Sequence, residues 1–304
     1  MFSKADVHVH TRYSGLGQFR ALKFPESISR PEDVVDIARK IGLRVLCITD
    51  HDSVRGGILA REYAKRYDDI EVVVGSEIKT NDGEVIGLFI EEDVPRGTSA
   101  IDAIANIRAQ GGLVVAPHPF SKHVPALGPL VDELDIDALE TLNGGHLDGY
   151  ANEAAQKHAE SGKWAVVGGS DAHALGQLGC SHTTFPGETA EDFRKAILNK
   201  TTTAQGMIST LEMGVKWSIQ VVLQADKLML KSFFRILEGD DPDDPLIKKI
   251  NSMRGDRKLA ALISSFFFLT PPMPFITSVT GLKVMKFMNN PKRSAAYHTC
   301  NDDQ

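Results

Sequence analysis

Cysteine is scarce in this 304-residue chain, and the three present, Cys47, Cys180 and Cys300, lie far apart and nowhere in C-x-x-C spacing. That excludes a disulfide framework and a zinc ribbon, and it suits a reducing cytoplasm. A basic surplus is lacking as well: 34 Lys and Arg stand against 40 Asp and Glu, a formal net charge of −6. No global field then marks a dedicated binder of long nucleic acid. The chain opens directly on a strand-like run, without a charged segment leading into an apolar one, so no leader peptide is expected. No repeat of solenoid length is visible. What charge there is lies unevenly. Between Gly214 and Arg293 thirteen Lys and Arg face seven Asp and Glu, a net +6, which leaves −12 for the remainder. Two parts with different tasks are expected, residues 1–206 and residues 207–304.

The first part alternates short β-branched runs with helix-length segments. The runs are "ADVHV", "LRVLCIT", "IEVVVG", "EVIGLFI", "GLVVAP", "ALETL" and "KWAVVGGS", each about the length of a buried strand. Between them, "RPEDVVDIARKIG" has Pro31 and acids in its first turn and Gly42 past its end, and "TSAIDAIANIRAQGG" has Thr98 or Ser99 as cap and Gly111 as stop. Such alternation predicts an α/β fold with crossover helices around a mainly parallel sheet, open or closed into a barrel. The polar residues favour the barrel: Asp50, His51, Asp52, Glu77, His118, Asp171 and His173 all fall at or just past the ends of expected strands, where barrel sites are built.

Residues two apart on a strand share a face, so Asp6, His8 and His10 of "DVHVH" point together, and two imidazoles at that spacing can grip one divalent ion. Alone, H-x-H is equally a pair of polar residues at a strand end. The signal lies in accumulation: "TDHD", "GSE", "PHP" and "GSDAH" add His51, Glu77, His118, Asp171 and His173 at successive strand ends. This mixture of imidazole and carboxylate is what borderline and hard divalent cations take.

With its four motifs "DVHVHT", "TDHD", "PHP" and "GSDAH", the stretch from about Lys4 to about Gln205 resembles the polymerase and histidinol phosphatase (PHP) family of metal-dependent phosphoesterases. The resemblance implies a distorted seven-stranded TIM-like β/α barrel with two or three Mn, Zn, Fe or Mg ions at its mouth. It places a first ion on His8, His10, Glu77 and Asp171, a second on Glu77 and His118, and a third on His51 and His173. Glu77, Asp171 and His173 would carry the catalysis, and Asp6, Asp50 and Asp52 would orient imidazoles from behind. This chain departs from the family pattern twice. Gly15 stands where three-metal relatives have an acid or histidine, and the strand "GEVIGLFI" lacks the histidine many relatives place there. Each departure leaves one shell a protein ligand short, and Asn143 and His146 in "LNGGH" are the nearest candidates to complete the second.

The expected reaction is hydrolysis of a small phosphomonoester, a metabolite or nucleotide, by a hydroxide bridging the ions. Two alternatives stand beside it: a 3′-to-5′ nuclease on short oligonucleotides, and a non-catalytic, metal-stabilised binding or assembly module. Arg12, Arg20, Arg55 and Lys79 are candidate phosphate contacts, although any one of them reads equally as a solvated surface charge.

From Gly206 onward the alternation stops. A helix carrying Lys227, Lys231 and Arg235 on one stripe leads to an acidic linker, "EGDDPDDP". Then Leu259 to Leu282 runs for 24 residues without a charge, interrupted by Pro271, Pro272 and Pro274. The prolines would break a spanning helix, and basic residues flank both ends. A membrane-interfacial hairpin is one expectation; an apolar pair packed on the barrel or inside a homodimer is the other.

Overall fold

The computed structural model describes residues 1–19, 22–234 and 244–290. Arg20, Arg235, the acidic stretch 238–243, Lys292 and Arg293 lie outside the described residues. Strand β1 (Phe2–Asp6) leads through a hairpin, β2 (Leu16–Phe19) and β3 (Leu22–Pro25), to α1 (Pro31–Lys40). There follow β4 (Val45–Ile48), α2 (Arg55–Ala64), β5 (Glu71–Lys79), β6 (Glu84–Leu88), α3 (Ala100–Ala109) and β7 (Leu113–Ala116). Next come β8 (Ala138–Asn143), α4 (Tyr150–Ala159), β9 (Ala165–Gly169), β10 (Ser181–Pro186), α5 (Ala190–Leu198) and β11 (Thr203–Gly206). Four helices close the described chain: α6 (Leu211–Phe233), α7 (Pro245–Ser252), α8 (Gly255–Leu269) and α9 (Met273–Asn289).

Nine strands form one sheet in the order β11-β10-β1-β4-β5-β6-β7-β8-β9. All seven expected runs overlap a strand, "ADVHV" by only Ala5 and Asp6, but the ring has nine rather than seven, because the polar "SHTTFP" pairs with β1 as β10 and "TAQG" pairs with β10 as β11. The sheet is also mixed. β1, β4 and β5 run parallel, as do β7, β8 and β9, whereas β6 is antiparallel to both its neighbours. The tight turn at Thr80–Gly83 folds β6 straight back along β5, with no room for a crossover helix. The ring nearly closes between β10 and β9, where Thr183 Oγ1 accepts from the Gly168 amide and donates to the Gly168 carbonyl, both at 2.9 Å.

Strand periodicity sorts the core. In β4, Val45 and Cys47 join one buried cluster with Ala5, Val73, Val115 and Phe185, while Leu46 and Ile48 face the opposite way into a cluster with Val35 and Ala38 of α1 and Ala60 of α2. Caps set the helix starts. Ser99 accepts from the Asp102 amide at α3, and at α5 Thr189 and Asp192 form a reciprocal capping box.

The last helices pack over the barrel's mouth, the end where the parallel strands finish. Trp217 of α6 donates to the Glu26 carbonyl at 3.4 Å, Arg12 pairs with buried Asp244 just before α7, and Asn289 at the end of α9 donates to Asp148 Oδ2 at 2.8 Å.

Candidate metal centre

Four strand ends deliver imidazoles to one point, and Glu77 stands at its centre. His8 and His10 follow β1, His51 follows β4, His118 follows β7, and Asp171 and His173 follow β9. Glu77 Oε2 lies 3.3 Å from His8 Nε2, 3.5 Å from His10 Nε2 and 3.1 Å from His51 Nδ1, while its Oε1 lies 3.0 Å from His118 Nε2. Asp171 Oδ1 approaches His10 Nε2 at 3.2 Å and His8 Nε2 at 3.6 Å. The His173 ring stacks on His10 with centroids 4.2 Å apart. Asp52, His118 and Asp171 all take positive φ, at 51°, 30° and 49°. Such backbone strain persists only where the surroundings impose it, here at the ends of three strands that converge on the site.

The hydrogen bonds behind the rings settle which nitrogen faces inward. His8 Nδ1 lies 3.1 Å from Glu140 Oε1, so it donates, and in the neutral ring that takes a cation the Nε2 lone pair points into the site. Ser14 Oγ donates to Asp50 Oδ1 at 2.6 Å and therefore accepts from His10 Nδ1 at 3.0 Å, which orients His10 the same way. His173 Nδ1 donates to the Asp171 carbonyl at 3.0 Å. His8 Nε2, His10 Nε2 and His51 Nδ1 are thus fully buried, close to carboxylate oxygens, yet aligned for a hydrogen bond with none of them. Buried lone pairs and carboxylates aimed at a shared point are the donor set of a cation site. Among the described residues four groups of three donors lie close enough together to hold a metal ion: His8, His10 and Asp171; His8, Glu77 and His118; His10, His51 and His173; and His51, Glu77 and Glu84.

Electrostatics follow from this crowding. Burial alone would raise Glu77, but the charges of His8 and His51 outweigh it and hold the carboxyl well below its ordinary range. Burial would likewise raise Asp171, and His8 and His10 hold it well below instead. For His118, burial works downward, but the Glu77 hydrogen bond prevails and lifts the ring to about 9. Burial and then the His173 charge lower His10 to about 4. Burial and the neighbouring Glu77 charge push Glu84 up to about 8.

Three acids absent from the expected set stand in the site. Glu26 Oε2 lies 3.2 Å from His51 Nε2, and the Glu26 amide donates to the Gly15 carbonyl at 3.2 Å. Gly15, which cannot supply a ligand, therefore helps position a residue that can. Glu84 Oε2 lies 3.8 Å from His118 Nε2. Because β6 runs backward, its first residue pairs with Lys79 and lies at the mouth, where a search of strand C-terminal ends does not look. Glu140, in the middle of β8, orients His8 and also accepts from the His118 amide at 2.8 Å. Gly169 makes room for this pairing: a Cβ there would meet His8 Cβ at 2.5 Å and Glu140 Oε1 at 2.7 Å.

The remaining expected residues take other positions. Asp6 touches no imidazole and accepts from the Ser170 and Gly179 amides at 2.9 Å each, fastening the β9 loop. Asp50 reaches His10 only through Ser14. Asp52 accepts from the Lys79 amide at 2.9 Å and lies 3.7 Å from Arg96. Asn143 is not a spare ligand: its oxygen accepts from the Gly145 and His146 amides, and its nitrogen donates to Glu140 and Asp171. His146 is buried with its ring 5.8 Å from that of His118, but joins none of the donor groups. Arg12 pairs with Asp244, Arg55 stands exposed at the start of α2, and Lys79 Nζ lies 3.7 Å from Glu26 at the rim.

Comparison with known proteins gives concordant results. A PHP domain model matches residues 6–116, and a PHP-associated model matches residues 149–202. An uncharacterized protein of Methanocaldococcus jannaschii is 47% identical over 152 residues, spanning 50% of this chain and 88% of that protein. An error-prone DNA polymerase of Mycobacterium tuberculosis is 34% identical over 74 residues, 24% of this chain and 6% of the polymerase. Among solved structures, a two-domain protein from Bacteroides vulgatus containing a predicted PHP-like metal-dependent phosphoesterase aligns with a TM-score of 0.57 at 20% identity. That alignment covers 73% of this chain and 70% of the other, and it shows the shared fold.

Proposed function

Because the chain belongs to the PHP family of metal-dependent phosphoesterases, we propose that its mouth hydrolyses a small phosphomonoester with three divalent cations bound. The observation that carries this is Glu77, one buried carboxylate within 3.5 Å of four imidazoles from three strand ends. When bound, such cations polarise the phosphoryl oxygens and lower the pKa of the attacking water. His8, His10, Glu77 and Asp171 would hold the first cation, and His118, Glu84 and Glu77 would hold a second. His51, His173 and Glu26 would hold the third, so the two acids answer the two departures from the family pattern.

The protein's own groups do the rest. Glu140 and Ser14 keep His8 and His10 in the tautomer that binds a cation, before any substrate arrives. Lys79, about a third exposed at the rim, can turn from Glu26 to a substrate phosphate. Arg12 is committed to Asp244 and serves the mouth by holding the start of α7. Trp217, Asp244 and Asn289 roof the mouth, and this supports a compact substrate over a long polyanion. The likeness to an error-prone polymerase supports a second reading, a nuclease on short oligonucleotides.

Metal content measured by mass spectrometry, with a panel of phosphomonoesters, nucleoside bisphosphates and short oligonucleotides assayed in Mn, tests the proposal. About three ions per chain are expected, with Glu26→Gln and Glu84→Gln each retaining about one fewer. Two or fewer ions, unchanged in Glu26→Gln, would remove the third site. Turnover of oligonucleotides alone would establish the nuclease, and metal without turnover on any compound the binding module.

A further inference from the structure

Helices α8 and α9 present apolar side chains where a folded surface normally carries charge. Of the 24 uncharged residues from Leu259 to Leu282, only Pro274 is buried. Phe266 is 70% exposed, Phe267 66% and Phe275 55%, and Met273 and Ile276 stand with them around the turn between the helices. The pair is nevertheless held in place. Ala261 and Leu262 pack against a cluster of α6 and α7 residues, and Lys258 Nζ donates to Ser232 Oγ at 2.9 Å. One side of the bent pair is docked on the protein and the other faces outward.

Charge decides what the outward side suits. Neither helix is long and apolar enough to cross a bilayer alone, and the two meet at a bend of 82°. Such a shape fits the boundary between headgroups and acyl chains better than a span. Exposed cations, Arg257 before the uncharged run and Lys283 and Lys286 after it, sit behind the apolar turn, and the turn itself carries none. A protein partner would bring a polar rim around an apolar centre. Lipid asks for this order instead: an uncharged tip and cations at the depth of the phosphates.

We propose that α8 and α9 dock the protein on an anionic bilayer surface, with Phe266, Phe267 and Phe275 in the acyl boundary and Arg257, Lys283 and Lys286 on lipid phosphates. This holds independently of the reaction at the barrel. The far end of α9 is tied into the mouth through Asn289, which accepts from the Lys122 amide and donates to Asp148 and His123. A helix of 17 residues is about 25 Å long, so docking holds the mouth within about that distance of the lipid.

Flotation of the full chain with phosphatidylcholine vesicles, with and without phosphatidylglycerol, tests the proposal without any activity assay. Binding is expected only with phosphatidylglycerol, weakening as salt rises. The pair Phe266→Ser and Phe267→Ser should lower it at least about tenfold, with circular dichroism and melting unchanged because both side chains are exposed. Phe267→Trp should bind as the parent does, and acyl-chain-brominated lipid should quench its added emission. Absence of flotation with any vesicle would overturn the proposal, as would equal flotation of the double variant and the parent. A lipid-free dimer that the same double variant converts to monomer would assign the face to a second copy of the chain.

Discussion

The barrel mouth and the bent helix pair α8 and α9 break the same rule in opposite senses. At the mouth Glu77, Asp50, Glu140 and five histidines are buried or nearly so, although water would solvate every one of them. On α8 and α9, phenylalanines stand in water that would expel them. Neither arrangement is favourable on its own. Isolated buried charge is unfavourable without a counter-charge, and an exposed apolar surface is unfavourable without a cover. Each region becomes reasonable with a partner from outside the chain, divalent cations in one case and, under the proposal above, lipid in the other. Misplaced polarity, taken with its sign, thus indicates the chemistry of the ligand.

The most severe break in the comparison is Glu77→Ala, which removes the carboxylate that faces four imidazoles. Turnover should fall by roughly a thousandfold or more, and bound metal should drop in mass spectrometry while vesicle flotation stays at the parental level. Parallel loss of both would mean the two regions are one unit.

A smaller effect concerns protons as substitutes for the cations. In metal-free protein His118 is raised to about 9 from 6.5, so its contribution to stability is fully present below pH 6.5 and is lost as pH rises through 9. Glu84, raised to about 8 from 4.5, stays neutral in the fold while the unfolded chain ionises, so it destabilises increasingly from pH 4.5 to 8. Both act in one direction between pH 6.5 and 8. After chelation the melting temperature should decline from pH 6.5 to 9 in a scanning fluorimeter, and saturating Mn should flatten the decline. A flat metal-free profile would count against buried titratable groups as the source.

Asn289→Ala sharpens the boundary between the regions. It deletes three hydrogen bonds at a buried position and leaves Asp148 Oδ2 without that donor. A loss of about 1–3 kcal/mol in denaturant unfolding is expected, with metal content unchanged.

Much of the barrel could be read from the sequence because β-branched runs and capped helices alternate, and the histidines stood out because they punctuate apolar strand ends. The three acids escaped for separate physical reasons. Glu26 follows a hairpin, in a stretch where neither helix nor strand periodicity gives direction. Glu84 opens an antiparallel strand, so the rule that sites gather at strand C-terminal ends pointed to the wrong end of it. Glu140 did carry a signal: an acid inside the apolar run "ALETL" must find a partner, and that partner is His8. The two extra strands were missed because "SHTTFP" and "TAQG" are too polar and short to read as sheet; the first pairs along β1 and the second along the first.

The Asn289 anchor also bears on how the molecule is made. A chain emerges from its N-terminus onward, so the ring of strands, ending at Gly206, is complete before any roofing helix exists. Asn289 reaches Asp148 across a separation of 141 positions in the sequence. In that order α6 with Trp217 and the start of α7 with Asp244 precede α9, and Asn289 is the last part of the roof to be made. The order of the residues themselves thus puts the barrel before its roof.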